Sequence, residues 1–423
     1  MKFITKKSKI NGEIIVPGSK SHTIRAFYFA MLADGKSRIK SPLMSSDALS
    51  SITVSKAFGA KIIDKKNLFE VDGVNGKPII PENVIDVGNS GTTINIGLSV
   101  AALVDGYTVF TGDHQIRNRP VAPLQAALNN LGASVNTTRN NGNPPVIVKG
   151  RAKGGTTHLD GISSQYLTSL LVSCPLLDND TTVIMDRLFE IPYVDITLWW
   201  LNKLGIKVEN DNYTSFYIPG RQNYRCFEET IPGDFSSATF FIALGAIPGN
   251  RVKLRNLDMS DPQGDKLVLK IVESMGAKVI YNNDSIEIIG DELTGLEIDM
   301  NSIPDALPAI SALACLCEGT TTIRNVKNAR LKETDRIKVM HDELSKLGAD
   351  IKEIEDGLII KKSKLNGGIV NGYHDHRIVM AMSIIGQTIS EELTIETAEA
   401  VNVTFPDFAE FLKNAGGNIV IID

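Results

Sequence analysis

Six times along the chain a short polar segment gives way to a long apolar block, and each block ends in a turn and a strand-like run such as Tyr107-Thr108-Val109, Thr182-Val183-Ile184 or Thr321-Thr322-Ile323. Pro17-Gly18-Ser19-Lys20-Ser21 precedes Ala26 to Leu32, Asn89-Ser90-Gly91-Thr92 precedes Ile94 to Val104, and Ser163-Ser164-Gln165 precedes Tyr166 to Leu177. Asp234-Phe235-Ser236-Ser237 precedes Ala238 to Ile247, Pro304-Asp305 precedes Ala306 to Cys317, and Asp375-His376-Arg377 precedes Ile378 to Ile385. A block apolar on nearly every side predicts a helix inside a core. Its first turn leaves backbone N–H groups unpaired, and such an end draws anions.

A second series has the same count. Amphipathic helices are predicted at Ser50 to Phe58, Leu124 to Leu131, Asp195 to Leu204, Asp265 to Met275, Arg336 to Leu347 and Phe408 to Ala415. Each ends at a glycine and is followed by a short strand, as in Gly59-Ala60-Lys61-Ile62 and Gly205-Ile206-Lys207-Val208. Subtracting successive positions of Gly59, Gly132, Gly205, Gly276, Gly348 and Gly416 gives 73, 73, 71, 72 and 68 residues. A period that steady, with glycine where a helix end wants positive φ, is internal repetition. Residues 1 to 16 read as a strand turning at Gly12, and Gly220 to Glu229 carries neither periodicity.

Strands alternating with helices predict an α/β fold of six units, divided as two halves of three. With crossings near Pro17-Gly18 and Pro232-Gly233, one domain is 1–17 plus 233–423 and the other 18–232. Two such bodies leave a cleft into which the starts of the buried helices would point.

Composition narrows the chemistry. The chain has 423 residues, 43% hydrophobic and 22% charged, with a formal net charge of −5. That balance argues against coating nucleic acid, so an anionic ligand has to be held by a local cluster of cations. Cys174, Cys226, Cys315 and Cys317 show neither metal-ligand spacing nor a disulfide framework, and three of them fall in the apolar blocks. No run approaches the roughly 18 apolar residues of a membrane span, and the N-terminal Met1 to Lys7 lacks an apolar leader core. A reducing cytoplasm is expected; a monomer is the default.

The charged residues gather at the starts of the apolar blocks. Lys20, Ser21 and Arg25 share one stretch, with Ser21 and Arg25 on one helix face, and Arg119 precedes the second amphipathic helix. Arg330 to Arg336 holds five charged residues among seven. Arginine pairs with planar carboxylates and phosphates, so the cluster fits a small ligand with several negative groups. Taken singly, Ser163, Ser164, Asp234 and Asp375 are ordinary helix caps, Gly91 ordinary backbone geometry, and His376 a polar surface residue. Recurrence at one position in all six units is what favours a shared site.

With these motifs in place the chain resembles the 5-enolpyruvylshikimate-3-phosphate synthase family (3-phosphoshikimate 1-carboxyvinyltransferases), from about Pro17 to Asp407. The resemblance is carried by Pro17-Gly18-Ser19-Lys20-Ser21, Gly88-Asn89-Ser90-Gly91-Thr92, Arg119-Pro120, Ser163-Ser164-Gln165, Pro192-Tyr193-Val194-Asp195, Gly233-Asp234 with Ser236-Ser237-Ala238, Ile303-Pro304-Asp305, Lys332-Glu333-Thr334-Asp335-Arg336, Asp375-His376-Arg377 and Thr404-Phe405-Pro406-Asp407. It implies a two-domain inside-out α/β barrel of six βαβαββ repeats, three per domain, with the active site in the interdomain cleft. It implies transfer of the carboxyvinyl group of phosphoenolpyruvate to the 5-hydroxyl of shikimate 3-phosphate, with release of phosphate and with no metal and no cofactor, a shikimate-pathway step toward aromatic amino acids. By that resemblance Ser21, Arg25, Ser163, Ser164, Tyr193 and Asp305 would hold shikimate 3-phosphate. Asn89, Gly91, Arg119, Gln165, Arg336 and Arg377 would hold phosphoenolpyruvate. Lys20, Asp305 and Glu333 are the candidates for proton transfer, with His376 as a supporting hydrogen-bond partner.

The chain departs from the family pattern at three positions. Val403 stands where the family usually has a lysine, Asn95 where it has an arginine, and Glu190 where it has a serine on the shikimate phosphate. Two missing cations and an added carboxylate should weaken anion binding unless Lys332 or His374 compensates. Two other readings are UDP-N-acetylglucosamine enolpyruvyl transferase and a non-catalytic ligand-binding paralogue. The first usually has Asn after the lysine and Cys in the loop before Arg-Pro; here Ser21 follows Lys20, and the loop Thr111 to Asn118 has no Cys.

Overall fold

The computed structural model describes residues 1–423. Twelve α-helices and twenty-four strands form six four-stranded sheets with one repeated connectivity. In the second repeat Ile85–Asp86 runs parallel to Tyr107–Thr111, which pairs antiparallel with Val146–Lys149, itself antiparallel to Ser134–Thr137. Glu297–Asp299, Thr320–Arg324, Gly357–Lys361 and Asp350–Ile354 repeat that order in the fifth. In the second, third and fifth repeats the sheet is a parallel crossover through a buried helix followed by a hairpin, the βαβαββ unit read from the sequence, and in the other three a strand from a distant part of the chain completes the same arrangement.

The chain forms two compact units, Met1–Pro17 with Pro232–Asp423, and Gly18–Ile231. Each contains three of the sheets and its own hydrophobic core. Inner helices supply most of that core: Phe235–Ala246 is buried at every position, and Lys20–Leu32 from His22 onward. Outer helices are two-faced, as in Leu267–Met275, which buries Val268, Leu269, Ile271, Val272 and Met275 and exposes Lys270, Glu273 and Ser274. The glycines that end the outer helices all have positive φ, from 73° at Gly205 to 125° at Gly276, which glycine adopts without the Cβ clash other residues meet.

Several expectations are corrected. Residues 1–16 are two strands in different sheets: Lys2–Lys6 lies between Leu393–Glu396 and Asn418–Ile422, and Asn11–Ile15 runs parallel to Arg251–Arg255. Gly12 is inside the second strand, where a Cβ would stand 2.6 Å from the Ala415 Cα. Its missing side chain serves close packing, not a turn. Residues 220–229, aperiodic in sequence, lead into Glu228–Thr230, which runs parallel to Lys36–Lys40 and completes the first sheet.

The strand expected at Ile206-Lys207-Val208 lies at Glu209–Asp211. The fifth inner helix is interrupted, with a 3-10 turn at Pro304–Ala306 before Leu307–Ala314, because Pro304 and Pro308 are accommodated only at helix starts. Cys174, Cys315 and Cys317 are buried but sit just past helix ends, and Cys226 is exposed. No helix is long and apolar enough to cross a membrane.

Candidate active site

In the unit Gly18–Ile231, three inner-helix starts come together. Lys20 opens the first helix behind Ser19, whose Oγ accepts the His22 N–H at 3.5 Å. The Lys20 Nζ lies 3.2 Å from Oδ2 of Asp47, a buried residue in the first turn of Ser46–Ala57. Sequence reading passed over Asp47; its only signal was an acid in the first turn of a helix, where it also complements the helix dipole.

One turn beyond Lys20, Arg25 is buried and donates to Thr197 Oγ1 at 2.9 Å, the Ser21 carbonyl at 3.0 Å, Thr168 Oγ1 at 3.3 Å and the Tyr193 carbonyl at 2.9 Å. Burial pushes its pKa down to about 10. With most of its five N–H groups engaged, Arg25 ties the first, third and outer helices together and keeps one donor outside that set.

At the second helix start, Ser90 caps Gly91–Ala101. A Cβ on Gly91 would meet Arg119 Nη1 at 2.5 Å. The missing side chain therefore lets the Arg119 guanidinium lie against the helix start. Asn95 donates to the Gly91 carbonyl at 2.9 Å and to Gln165 Oε1 at 2.8 Å, linking the second and third helices. Asn89 donates to Asp113 Oδ2 at 2.6 Å and to Gln115. At the third start the Ser163 Oγ accepts the Gln165 N–H, and the Tyr166 hydroxyl donates to the Pro120 carbonyl at 2.6 Å, fixing the loop that carries Arg119.

The other unit gathers the remaining residues. Arg336 is 1% exposed and its guanidinium is enclosed by three carboxylates. It donates to Asp375 Oδ2 at 2.9 Å and Oδ1 at 3.2 Å, to Asp305 Oδ1 at 2.8 Å and to Glu333 Oε2. Burial would lower the Arg336 pKa, but Asp375, Glu333 and Asp305 raise it above its ordinary value.

Asp305 also faces Arg377 Nη2 at 3.1 Å and Lys332 Nζ at 3.6 Å. Burial alone would raise its pKa; Arg377, Lys332 and Arg336 instead hold it well below the carboxylate range. Arg377 donates further to Ser236 Oγ at 2.8 Å and to the Asp305 carbonyl at 3.2 Å, so the three inner-helix starts of this unit also meet. His376 is buried beside Arg377 at the last of them.

Two caps carry more than capping. Asp375 accepts the Arg377 N–H at 2.9 Å and the Thr334 hydroxyl at 3.0 Å besides holding Arg336. Asp234 makes no side-chain bond to its own helix backbone; it accepts the Ser237 hydroxyl at 2.7 Å. Of the suggested compensating cations, Lys332 lies in the cluster, whereas His374 pairs with Glu399 at 3.3 Å. Val403 ends the 3-10 turn Ala398–Val403.

Residues 4–412 match the family model for EPSP synthase (3-phosphoshikimate 1-carboxyvinyltransferase). The chain belongs to the EPSP synthase family. A relative named 3-phosphoshikimate 1-carboxyvinyltransferase from Acetivibrio thermocellus is 58% identical over 414 residues, covering 98% of each chain. One of the same name from Methanosarcina acetivorans is 41% identical over 427 residues, covering 99% of each. Among solved structures, an EPSP synthase from Acinetobacter baumannii is similar over 100% of both chains, with a TM-score of 0.85 and 28% identity. The fold read from the sequence is therefore that of the family, and the family is one of enzymes.

Asp47→Asn should release Lys20 from its ion pair. The expected result is a fall in kcat of about tenfold, less than the roughly 10²- to 10⁴-fold that deleting a proton-transfer group costs, because the Lys20 ammonium is displaced and not removed. Steady-state kinetics with an unchanged melting temperature would check it. An unaltered kcat would mean that Asp47 only neutralises Lys20.

Proposed function

We propose that this chain transfers the carboxyvinyl group of phosphoenolpyruvate to the 5-hydroxyl of shikimate 3-phosphate, giving 5-enolpyruvylshikimate 3-phosphate and phosphate. The observation that carries the reading is the pair of clusters at the inner-helix starts: hydroxyls, amides and arginines in one unit, and three cations balanced by three carboxylates in the other. Ser21, Arg25, Ser163, Ser164 and Tyr193, with Asp305, take the acceptor. Asn89, Gly91, Arg119, Gln165, Lys332, Arg336 and Arg377 take phosphoenolpyruvate.

The chemistry needs a proton removed from the 5-hydroxyl as its oxygen adds to C2 of the enol, and a proton delivered to C3. Phosphate then leaves as C3 gives a proton back. Asp305, held anionic by its three cations, suits the acceptance of the hydroxyl proton better than the donation of one. Glu333 and Lys20 serve the C3 proton, with His376 as a supporting hydrogen-bond partner. The cations stabilise negative charge on the departing phosphate. Residence in the cytoplasm accords with three buried free thiols, and a monomer remains the expected state.

Incubation with both substrates should release inorganic phosphate in step with enol ether formation, and omission of either should stop it. Calorimetric binding of shikimate 3-phosphate with no phosphate release would replace the enzyme with a ligand-binding protein.

A further inference from the structure

Glu190 is the residue in the acceptor cluster whose charge opposes the ligand. It is 2% exposed and sits with left-handed backbone (φ 59°, ψ 40°) at the start of the outer helix Ile191–Lys203. Its Oε2 accepts the Ser164 hydroxyl at 2.8 Å and the Ser164 backbone N–H at 3.3 Å. Ser164 is the first residue of the inner helix Ser164–Ser173. Two of the donors that this helix start would offer an incoming anion, the Ser164 hydroxyl and N–H, are thus already turned toward a carboxylate of the protein itself. The same carboxylate acts on its surroundings: burial, then Glu190, raise the Tyr166 hydroxyl pKa, while Arg119 opposes them.

We propose that Glu190 is a resident anion in the acceptor site and a specificity-determining residue, setting how strongly the site prefers a phosphorylated over a non-phosphorylated acceptor. This rests on the reading that Ser163 and Ser164 hold the acceptor phosphate. A phosphate arriving there meets a buried like charge in a setting where water screens poorly. It also competes for the Ser164 hydroxyl and N–H. A neutral hydroxyl in the same place meets no repulsion and can donate to the carboxylate. Glu190 therefore weakens phosphate binding selectively while leaving the rest of the acceptor's contacts in place.

The test is calorimetry on the full chain with two probes, shikimate 3-phosphate and shikimate, in wild type and Glu190→Gln. Glutamine keeps the size and an acceptor oxygen for Ser164 and removes the charge. The dissociation constant for shikimate 3-phosphate is expected to fall about tenfold, equivalent to about 1.4 kcal/mol, with that for shikimate unchanged. The gain should shrink as salt is raised. Glu190→Ser, which trades the carboxylate for a small donor, carries the same expectation if the glutamine variant fails to fold. Equal changes for both probes, or none for either, would overturn the role of Glu190. Shikimate 3-phosphate failing to bind wild type and both variants would overturn the functional reading itself, and this inference with it.

Discussion

Glu333→Gln is expected to lower kcat by about 10²- to 10⁴-fold, the range removed with a positioned proton-transfer group, while both ligands still bind. The glutamine amide is nearly isosteric and its oxygen can keep the contact that Glu333 Oε2 makes to Arg336 Nη2. The variant cannot hold or pass a proton. Binding should survive because Arg336 retains two other anchors, Asp375 and Asp305. A loss confined to kcat separates a chemical role from a positional one, since a displaced Arg336 would raise the KM for phosphoenolpyruvate as well. Rapid-quench measurement of phosphate release together with calorimetry reads both quantities. Turnover within twofold of wild type would take Glu333 out of the mechanism.

The repeat was legible because each unit solves one local problem in the same way. An apolar block has to be buried, so its polar start marks the exposed end, and a glycine with positive φ has to close the outer helix. Gly59, Gly132, Gly205, Gly276, Gly348 and Gly416 all meet that second requirement. Pairing between distant segments was not legible. Asn11–Ile15 carries no periodicity that names Arg251–Arg255 as its neighbour, and Glu228–Thr230 is too short and too charged to announce that it completes the sheet of Lys36–Lys40. Strand partners are set by the fold around them, whereas helix burial is set by composition.

The same division applies to the site. Lys20, Arg119, Arg336 and Arg377 stand out in the sequence because several cations at helix starts have few structural explanations. Asp47, Thr334 and Asp375, which contact those cations or their partners, do not stand out, because an acid or threonine near a helix start already has one explanation, capping. For Asp375 that explanation holds, and it is incomplete. The carboxylate that caps the last inner helix also takes both an Nε and an Nη2 donor of Arg336. A sequence shows that a cap is present; only coordinates show what else the cap holds.

Asp375→Ala tests that double duty, and its effect on stability should exceed that of Glu333→Gln. Asp375 is fully buried and accepts four hydrogen bonds, two from Arg336, one from the Arg377 N–H and one from Thr334. Removing it leaves the Arg336 guanidinium, 1% exposed, short of its bidentate partner, and breaking a buried ion pair costs about 3–5 kcal/mol. Loss of the cap alone costs about 1 kcal/mol, but the two overlap in one network and should not be added. Denaturant unfolding should show the loss in the transition of the unit containing Pro232–Asp423, with that of Gly18–Ile231 unmoved. Activity should fall with stability, by about 10²-fold or more in kcat/KM, because Arg336, Arg377 and the loop bearing Glu333 all lose the group that orients them. Asp375→Asn keeps an acceptor for the helix cap and for one Arg336 donor but not the charge, so it should recover the cap's share of the stability, about 1 kcal/mol, and little of the activity. Equal recovery of both would mean that Asp375 is a structural cap alone, and that the charge it sets against Arg336 has no part in catalysis.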